Sequence, residues 1–304
     1  MHHAPTQYGK LFAIGIALNL IFVGVEAFYG WQAGSLALLA DAGHNLSDVG
    51  GLLLAWAAYA AAKLKPNDTH TFGWRKGSII ASFFNAIILL VAMGSLGWEA
   101  VSRLQSPSIV DSKIVIIVAA LGIVINSITA WLFASGSKHD LNIRGAFLHM
   151  AADALVSLGV VVAGLLSLWK GWTWVDPVTS ILIALVIIVG TWSLFRQSLH
   201  LLFDGVPENI RFVAVSEALK GIPGVTELHD LHIWATSTTE TALSVHLVCD
   251  GAAYQQEKIL KTATSLLEEK FEIEHATIQI ESTAYASICA LNPYSSGSAH
   301  KHPS

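Results

Sequence analysis

The sequence predicts a membrane α-helical fold followed by a small water-soluble α+β domain. Of the 304 residues, 53% are hydrophobic and only 13% are charged, and the mean hydropathy is +0.56. This composition is too apolar for an ordinary soluble domain. The long apolar stretches all precede residue 203, and the pattern changes after it. We therefore expect a transmembrane domain at 1–202, a soluble domain at 203–289 and a flexible tail at 290–304.

Six stretches of the first 202 residues are long and apolar enough to cross a bilayer, which takes about 20 helical residues. Most are joined by short links such as AGSL, SPSIVD and KGWTWVD. The sequence predicts six transmembrane helices, at residues 10–31, 35–62, 77–104, 112–136, 142–168 and 176–200.

Positive charges are unevenly divided between the two sets of helix ends. One set carries Lys10, Lys63, Lys65, Arg75, Lys76, Lys138, Arg144 and Arg196. The other set has only Arg103, Lys113 and Lys170. Because basic residues accumulate on the cytoplasmic side of a membrane protein, we expect both termini and the soluble domain in the cytoplasm. The membrane we expect is a bacterial inner membrane.

The last third of the chain has the pattern of a soluble α+β domain. Residues 203–304 hold 13 acidic and 6 basic side chains, which argues against nucleic acid and is compatible with cations. Amphipathic helices are predicted in PENIRFVAVSEALKGI and YQQEKILKTATSLLEEKF, and strands in TELHDLHIWAT, ALSVHLVCD and HATIQIES. The order αββαβ predicts a ferredoxin- or metallochaperone-like domain with its helices on one face of the sheet.

An H-x-x-x-D pattern occurs in two of the predicted membrane helices, as His44 with Asp48 and as His149 with Asp153. Residues four apart lie on the same helix face, with Cβ atoms about 5–6 Å apart. Two such helices packed together offer four N/O ligands, which matches tetrahedral Zn²⁺. The alternative is a set of polar residues that only hydrogen-bond between helices. Burying carboxylates in a membrane is costly, so the repeated pair favours a metal or ion pathway.

The segments LLADAGHNLSD, HTFGWRK and FLHMAAD, with the αββαβ half, resemble the cation diffusion facilitator family over nearly the whole chain. The resemblance implies a homodimer that exchanges cytosolic metal for protons, with its transport site between the second and fifth helices. In the family, two His and two Asp at this site favour zinc, whereas Asp in place of His broadens selectivity toward cadmium. Protons compete with the metal for these side chains, because metal binding needs neutral imidazole and ionised carboxylate.

The resemblance also implies a regulatory Zn²⁺ site in the soluble domain. It places His229, His246 and Glu281 at positions that bind cytosolic metal in the family. The family's further histidine from the second domain helix has no counterpart in AAYQQEKILK. Strand alternation puts Asp230 and His232 on one face and His229 on the other, so one site cannot use all three without a bulge or a strand end. Sheet-packing or surface histidines are the alternative.

Three further residues are candidates for supporting roles. Asp41 lies three positions before His44 on a similar helix face, where it could orient that imidazole or help admit the cation. The alternative is a carboxylate that faces water at the helix entry. Lys76 and Asp204, at the ends of the third and sixth helices, resemble a charge interlock of the family near its dimer hinge. They could equally be ordinary interfacial charges.

Other functions remain open at this point. An exporter of the same architecture could prefer Co²⁺, Cd²⁺, Fe²⁺ or Mn²⁺, because affinity order alone does not determine which metal a cell selects. A membrane metal sensor without transport would also bind metal, but it gives no reason for ligands at mid-membrane. An intramembrane zinc protease is not expected, since the chain has no HExxH and four protein ligands leave no position for an activated water.

Overall fold

A computed structural model of the chain describes the backbone of residues 6–62, 66–106, 108–134, 141–249 and 253–288. The side chains are described over a smaller part of the helices, and those of Asp48 and His149 lie outside that part. The predicted tail at 290–304 and the basic residues Lys63, Lys65 and Lys138 also lie outside the described residues.

In the described part of the first two thirds of the chain there are six long helices, and their bounds agree with the predicted stretches to within a few residues. They are α1 Thr6–Ala33, α2 Leu36–Ala62, α3 Gly77–Gln105, α4 Ser112–Ala134, α5 Leu141–Lys170 and α6 Val175–Leu202. Gly34 and Gly171 follow α1 and α5 with φ of +67° and +68°, the left-handed conformation that commonly ends a helix. Among the described residues, four helices (α3 to α6) contain a stretch long and apolar enough to cross a membrane.

The chain divides into two compact units. The first takes the residues up to Trp56 together with Ser82–Phe195, and therefore most of the long helices. The second takes Ala57–Ala81 and the residues from Arg196 onward, and therefore includes the link between α2 and α3.

Small residues let α4 and α5 approach closely in the first unit. A Cβ added at Gly122 would lie 2.8 Å from the Phe22 ring and 3.0 Å from Ser157 Oγ, and one at Gly164 would lie 2.8 Å from the Ile116 side chain. Close backbone approach over small residues is how membrane helices gain packing without a hydrophobic driving force. Ser157, whose hydroxyl lies against Gly122, is one helical turn beyond Asp153 on α5.

The second unit ends in a three-stranded sheet covered by two helices. Its elements are α7 Phe212–Lys220, β1 Glu227–Ala235, β2 Thr241–Val248, α8 Ala253–Phe271, β3 His275–Glu281 and the one-turn α9 Thr283–Ala286. The strand order is β1-β2-β3, with β1 antiparallel and β3 parallel to β2. The core between sheet and helices is built on fully buried Leu219, Leu243, Leu247 and Leu267. The predicted αββαβ order is thus present, followed by α9.

Candidate metal centres

The first candidate centre lies where α2 and α5 face each other in the first unit. His44 Nε2 of α2 is 3.7 Å from Asp153 Oδ1 of α5. The Asp153 side chain is 3% exposed, whereas that of His44 is 24% exposed, so the imidazole lies on the more open side of the pair. The structure therefore brings together one predicted ligand from each helix. Asp48 and His149 lie one helical turn from these residues along α2 and α5, and their side chains are outside the described part.

A buried carboxyl pair lies beside this centre. Asp41 of α2 is 1% exposed and accepts a hydrogen bond from Ser157 Oγ of α5 at 3.2 Å. The carboxyl group of Glu26 of α1, which is fully buried, lies close enough to that of Asp41 for the two to interact electrostatically. Glu26 in turn accepts from Asn45 Nδ2 at 3.3 Å. Glu26 could not be selected from the sequence, because a single carboxylate in an apolar helix has no repeated pattern around it.

Asp176 of α6 fixes the beginning of α2. Its carboxylate accepts hydrogen bonds from Ser35 Oγ and, at 3.0 Å, from the Leu36 backbone N–H. A carboxylate at the first turn of a helix satisfies backbone donors that have no partner within the helix and interacts favourably with the helix dipole. Here the cap comes from another helix and is buried, so it ties α6 to the helix that carries His44. Position 176 was expected only as the start of α6.

The second candidate centre lies on the sheet of the second unit and consists of His229, His246 and Glu281. His246 Nδ1 is 2.8 Å from Glu281 Oε1 and 3.3 Å from His229 Nε2, and His229 Nε2 is 3.3 Å from Glu281 Oε2. One ligand atom from each residue lies within 4.8 Å of the other two. His229 Nδ1 and Glu281 Oε2 are buried and have no hydrogen-bond partner among the described residues. Two imidazoles and a carboxylate at this spacing fit a zinc-sized ion.

Sheet register explains how three separate strands supply these side chains. His229 of β1 is the antiparallel partner of His246 of β2, and Glu281 of β3 is the parallel partner of Val248, two residues further along β2. Gln279, the direct parallel partner of His246, donates from Nε2 to Glu281 Oε1 at 2.7 Å. That contact orients the carboxylate toward the histidine pair.

A β-bulge interrupts β1 immediately after His229. The pairing shifts by one residue between His229 and His232, and Asp230 has a φ of +51°. His232 Nε2 lies 2.8 Å from Asp230 Oδ1, and His246 Nε2 lies 3.8 Å from Asp230 Oδ2. The sequence left a bulge or a strand end as the ways to bring residues of both strand faces to one site, and the bulge here places Asp230 beside His246.

The link before α3 carries two ion pairs, both within the second unit. Lys76 Nζ is 2.7 Å from Asp204 Oδ1, and both side chains are about half exposed. Arg75 pairs with Glu240 of the turn between β1 and β2 at 3.0 Å, and Ser78 Oγ accepts the Thr238 backbone N–H at 3.1 Å. The structure thus brings Lys76 and Asp204 into contact.

A helical domain with a His/Asp pair between two of its helices, followed by a small α+β domain with a His/His/Glu cluster, defines a class of metal transporters. The family model for the cation efflux transmembrane domain matches residues 12–203. The model for the cation efflux protein cytoplasmic domain matches residues 207–283. The chain belongs to the cation efflux family, which confirms the resemblance found in the sequence.

Individual relatives span almost the full length of the chain. The metal cation efflux system protein CzcD of Cupriavidus metallidurans is 37% identical, over 92% of this chain and 89% of its own. A protein of Bacillus subtilis named cadmium, cobalt and zinc/H(+)-K(+) antiporter is 35% identical, and the match covers 93% of this chain and 92% of that protein. The zinc transporter ZitB of Escherichia coli is 35% identical, and the match covers 96% of this chain and 93% of that protein.

Among solved structures, the metal-bound C-terminal domain of CzcD from the same Cupriavidus species is 38% identical. The match covers 24% of this chain and 99% of the solved domain, with a TM-score of 0.23.

Proposed function

We propose that this member of the cation efflux family exports Zn²⁺ from the cytoplasm in exchange for protons. The observation that carries the proposal is the contact between His44 on α2 and Asp153 on α5, which places an imidazole and a buried carboxylate together between two long apolar helices. A buried carboxylate at such a place is expensive unless it binds a cation or passes on a proton.

The proposed transport site consists of His44, Asp48, His149 and Asp153. Helical spacing puts Asp48 on the face of His44 and His149 on the face of Asp153. Four N/O ligands of this kind suit Zn²⁺, whereas Ca²⁺ and Mg²⁺ prefer all-oxygen sites. Asp41 would support the site through Ser157, which lies one turn beyond Asp153 on α5. The names of the relatives, which include zinc, cadmium and cobalt, are compatible with this ligand set.

The proposal includes a membrane topology. All six long helices would cross a bacterial inner membrane, with both termini and the αββαβ domain in the cytoplasm. Two features support it, namely the length of α1 and α2 and the excess of basic residues at one set of helix ends. Alternating access would expose the site first to the cytoplasm and then to the opposite side, and the working unit would be a homodimer.

The soluble domain would respond to cytosolic zinc through His229, His246 and Glu281. Metal bound there would stabilise one arrangement of the domain and so bias the transport cycle. The Lys76–Asp204 pair would act as a charge interlock at the helix ends. Because exposed ion pairs contribute at most about 1 kcal/mol, this pair would act on the transport cycle more than on stability.

Zinc flux into proteoliposomes tests the exchange. We expect an imposed proton gradient of the correct sign to drive Zn²⁺ uptake, and we expect uptake to stop when an ionophore dissipates the gradient. Flux that is insensitive to the gradient would exclude proton exchange. The same assay on Lys76→Asp, Asp204→Lys and their combination tests the interlock, which requires the double variant to recover flux lost in the single ones.

Co²⁺, Cd²⁺, Fe²⁺ and Mn²⁺ belong in the same assay, because a same-fold exporter with another preferred metal is the nearest alternative. If one of them is transported faster than zinc at equal concentration, the zinc assignment is wrong while the efflux function stands. Metal binding without any flux would instead support a membrane sensor, for which the His/His/Glu cluster of the soluble domain is the relevant observation.

A further inference from the structure

Asp230 occupies an unusual position between two histidines in the soluble domain. One carboxylate oxygen lies 2.8 Å from His232 Nε2 and the other 3.8 Å from His246 Nε2. The Asp230 side chain is 22% exposed, whereas that of His232 is 63% exposed. Asp230 therefore lies between a solvent-facing histidine and a candidate metal ligand.

The two ring nitrogens of His246 face different neighbours. Nδ1 lies 2.8 Å from Glu281 Oε1 and 3.3 Å from His229 Nε2, so it is the nitrogen available to an ion in the cluster. Nε2 faces the Asp230 carboxylate. A neutral imidazole carries one proton, so an ion on Nδ1 requires the proton to be on Nε2.

The bulge is what places a carboxylate at that nitrogen. In a regular strand, Asp230 would lie on the opposite face of the sheet from His229. The register shift between His229 and His232, with Asp230 in the left-handed region at φ +51°, returns the carboxylate to the side of His246. Left-handed backbone is uncommon outside glycine, asparagine and aspartate, so the residue type fits the geometry.

We propose that Asp230 is a positioning residue that accepts the Nε2–H of His246 and thereby holds Nδ1 ready to bind the ion in the His229/His246/Glu281 cluster. The inference rests on the proposed metal site of the soluble domain. The present 3.8 Å separation is about 1 Å longer than a hydrogen bond, so the proposal requires the carboxylate and the imidazole to move together by about that distance when the ion binds. His232 holds the other oxygen of Asp230 and limits its rotation. Metal-binding histidines commonly use such a carboxylate partner.

Zinc affinity of the full-length protein in detergent tests the proposal, measured by competition with a chelator of known affinity. The starting variant carries His44→Ala and Asp153→Ala, which removes the proposed membrane site. Asp230→Gly is then added because glycine adopts the positive φ without strain, and Asp230→Asn because its amide oxygen can still accept a hydrogen bond. Glu227→Gln, an exposed carboxylate in the same strand, is the matched control.

We expect Asp230→Gly to weaken zinc binding by about 10- to 100-fold, Asp230→Asn to recover most of that loss, and Glu227→Gln to change nothing. In zinc-loaded protein labelled with ¹⁵N-histidine, the Nε2–H of His246 should exchange slowly with solvent in the starting variant and rapidly in Asp230→Gly. An affinity of Asp230→Gly within about twofold of the starting variant would overturn the proposal. So would an Asn variant no better than the Gly variant, or unchanged exchange of that proton.

A further variant separates failure of the positioning role from failure of the site. His229→Ala in the starting variant should abolish the remaining tight zinc binding. If the starting variant binds no zinc, or if His229→Ala leaves its affinity unchanged, the cluster is not a metal site and the role of Asp230 falls with it.

Discussion

At the scale of single residues, the cost of burying charge decides what the candidate centres can be. Glu281 and His229 are almost completely buried, and both leave a polar atom without a hydrogen-bond partner among the described residues. An orphaned buried polar atom costs about 1–3 kcal/mol, and more when it is charged. A cation in the cluster would satisfy Glu281 Oε2, whereas the orphaned nitrogen of His229 is Nδ1 and its Nε2 is the nitrogen that faces the cluster. Asp153 in the first unit is likewise a buried carboxylate, 3% exposed, and it lies beside an imidazole.

Glu281→Gln keeps the size of this side chain and removes its charge. In the chain that lacks the membrane ligands His44 and Asp153, zinc at about 100 times its dissociation constant should stabilise the soluble domain by about 2.7 kcal/mol. We expect the Gln variant to lose most of that stabilisation, because a neutral amide is a weak zinc ligand. Thermal unfolding in the presence of zinc and in the presence of a chelator measures this stabilisation. The control is Glu274→Gln, which changes an exposed carboxylate in the same way. If zinc raises the unfolding temperature of both variants equally, Glu281 is not a ligand.

Much of the residue-level pattern could be predicted from the sequence, and the limits have physical causes. Helical spacing selected His44 with Asp48 and His149 with Asp153, because i and i+4 residues share a face whatever the neighbours are. Glu26 was not selected, because only the folded structure shows that its carboxylate accepts a hydrogen bond from Asn45 of α2. Asp230 was assigned to the opposite strand face, because a bulge is a property of the strand pairing and alternation alone does not indicate it.

At the scale of elements, the position of α2 depends on a cap from α6. Asp176 accepts from Ser35 and from the Leu36 backbone N–H, and it is buried. Helix bounds could be predicted from apolar length and from glycines such as Gly34, but a cap supplied by a distant helix could not. Its consequence is that the start of α2, and hence the depth of His44, is held by a side chain 140 positions away from Leu36 in the sequence.

Asp176→Ala should therefore destabilise the helical domain more than removal of an ordinary cap does. We expect a loss of about 1–3 kcal/mol, because two buried donors would lose a charged acceptor. The matched control is Asp111→Ala, which removes an exposed carboxylate that accepts the Lys113 and Ile114 backbone N–H groups at the start of α4. Unfolding of both purified variants in denaturing detergent measures the difference. A loss no greater for position 176 than for position 111 would contradict the role of the buried cap.

At the scale of the whole molecule, family membership and composition agree on a membrane efflux protein. The two family models together match residues 12–203 and 207–283, which accounts for most of the chain. The αββαβ domain could be predicted because its strands alternate and its helices are amphipathic. We propose that transport uses a site between α2 and α5 and that the cluster on the sheet regulates it.

Zinc flux through the Asp153→Asn variant tests the central claim most directly. Asn keeps the shape of the buried side chain and removes the charge that would bind the ion. Proteoliposomes containing the wild type or Glu99→Gln, whose exposed carboxylate pairs with Arg103 on α3, should take up zinc at similar rates. With Asp153→Asn inserted in equal amount and folded, uptake should fall to the level of protein-free vesicles. Wild-type flux in that variant would contradict a transport site at Asp153.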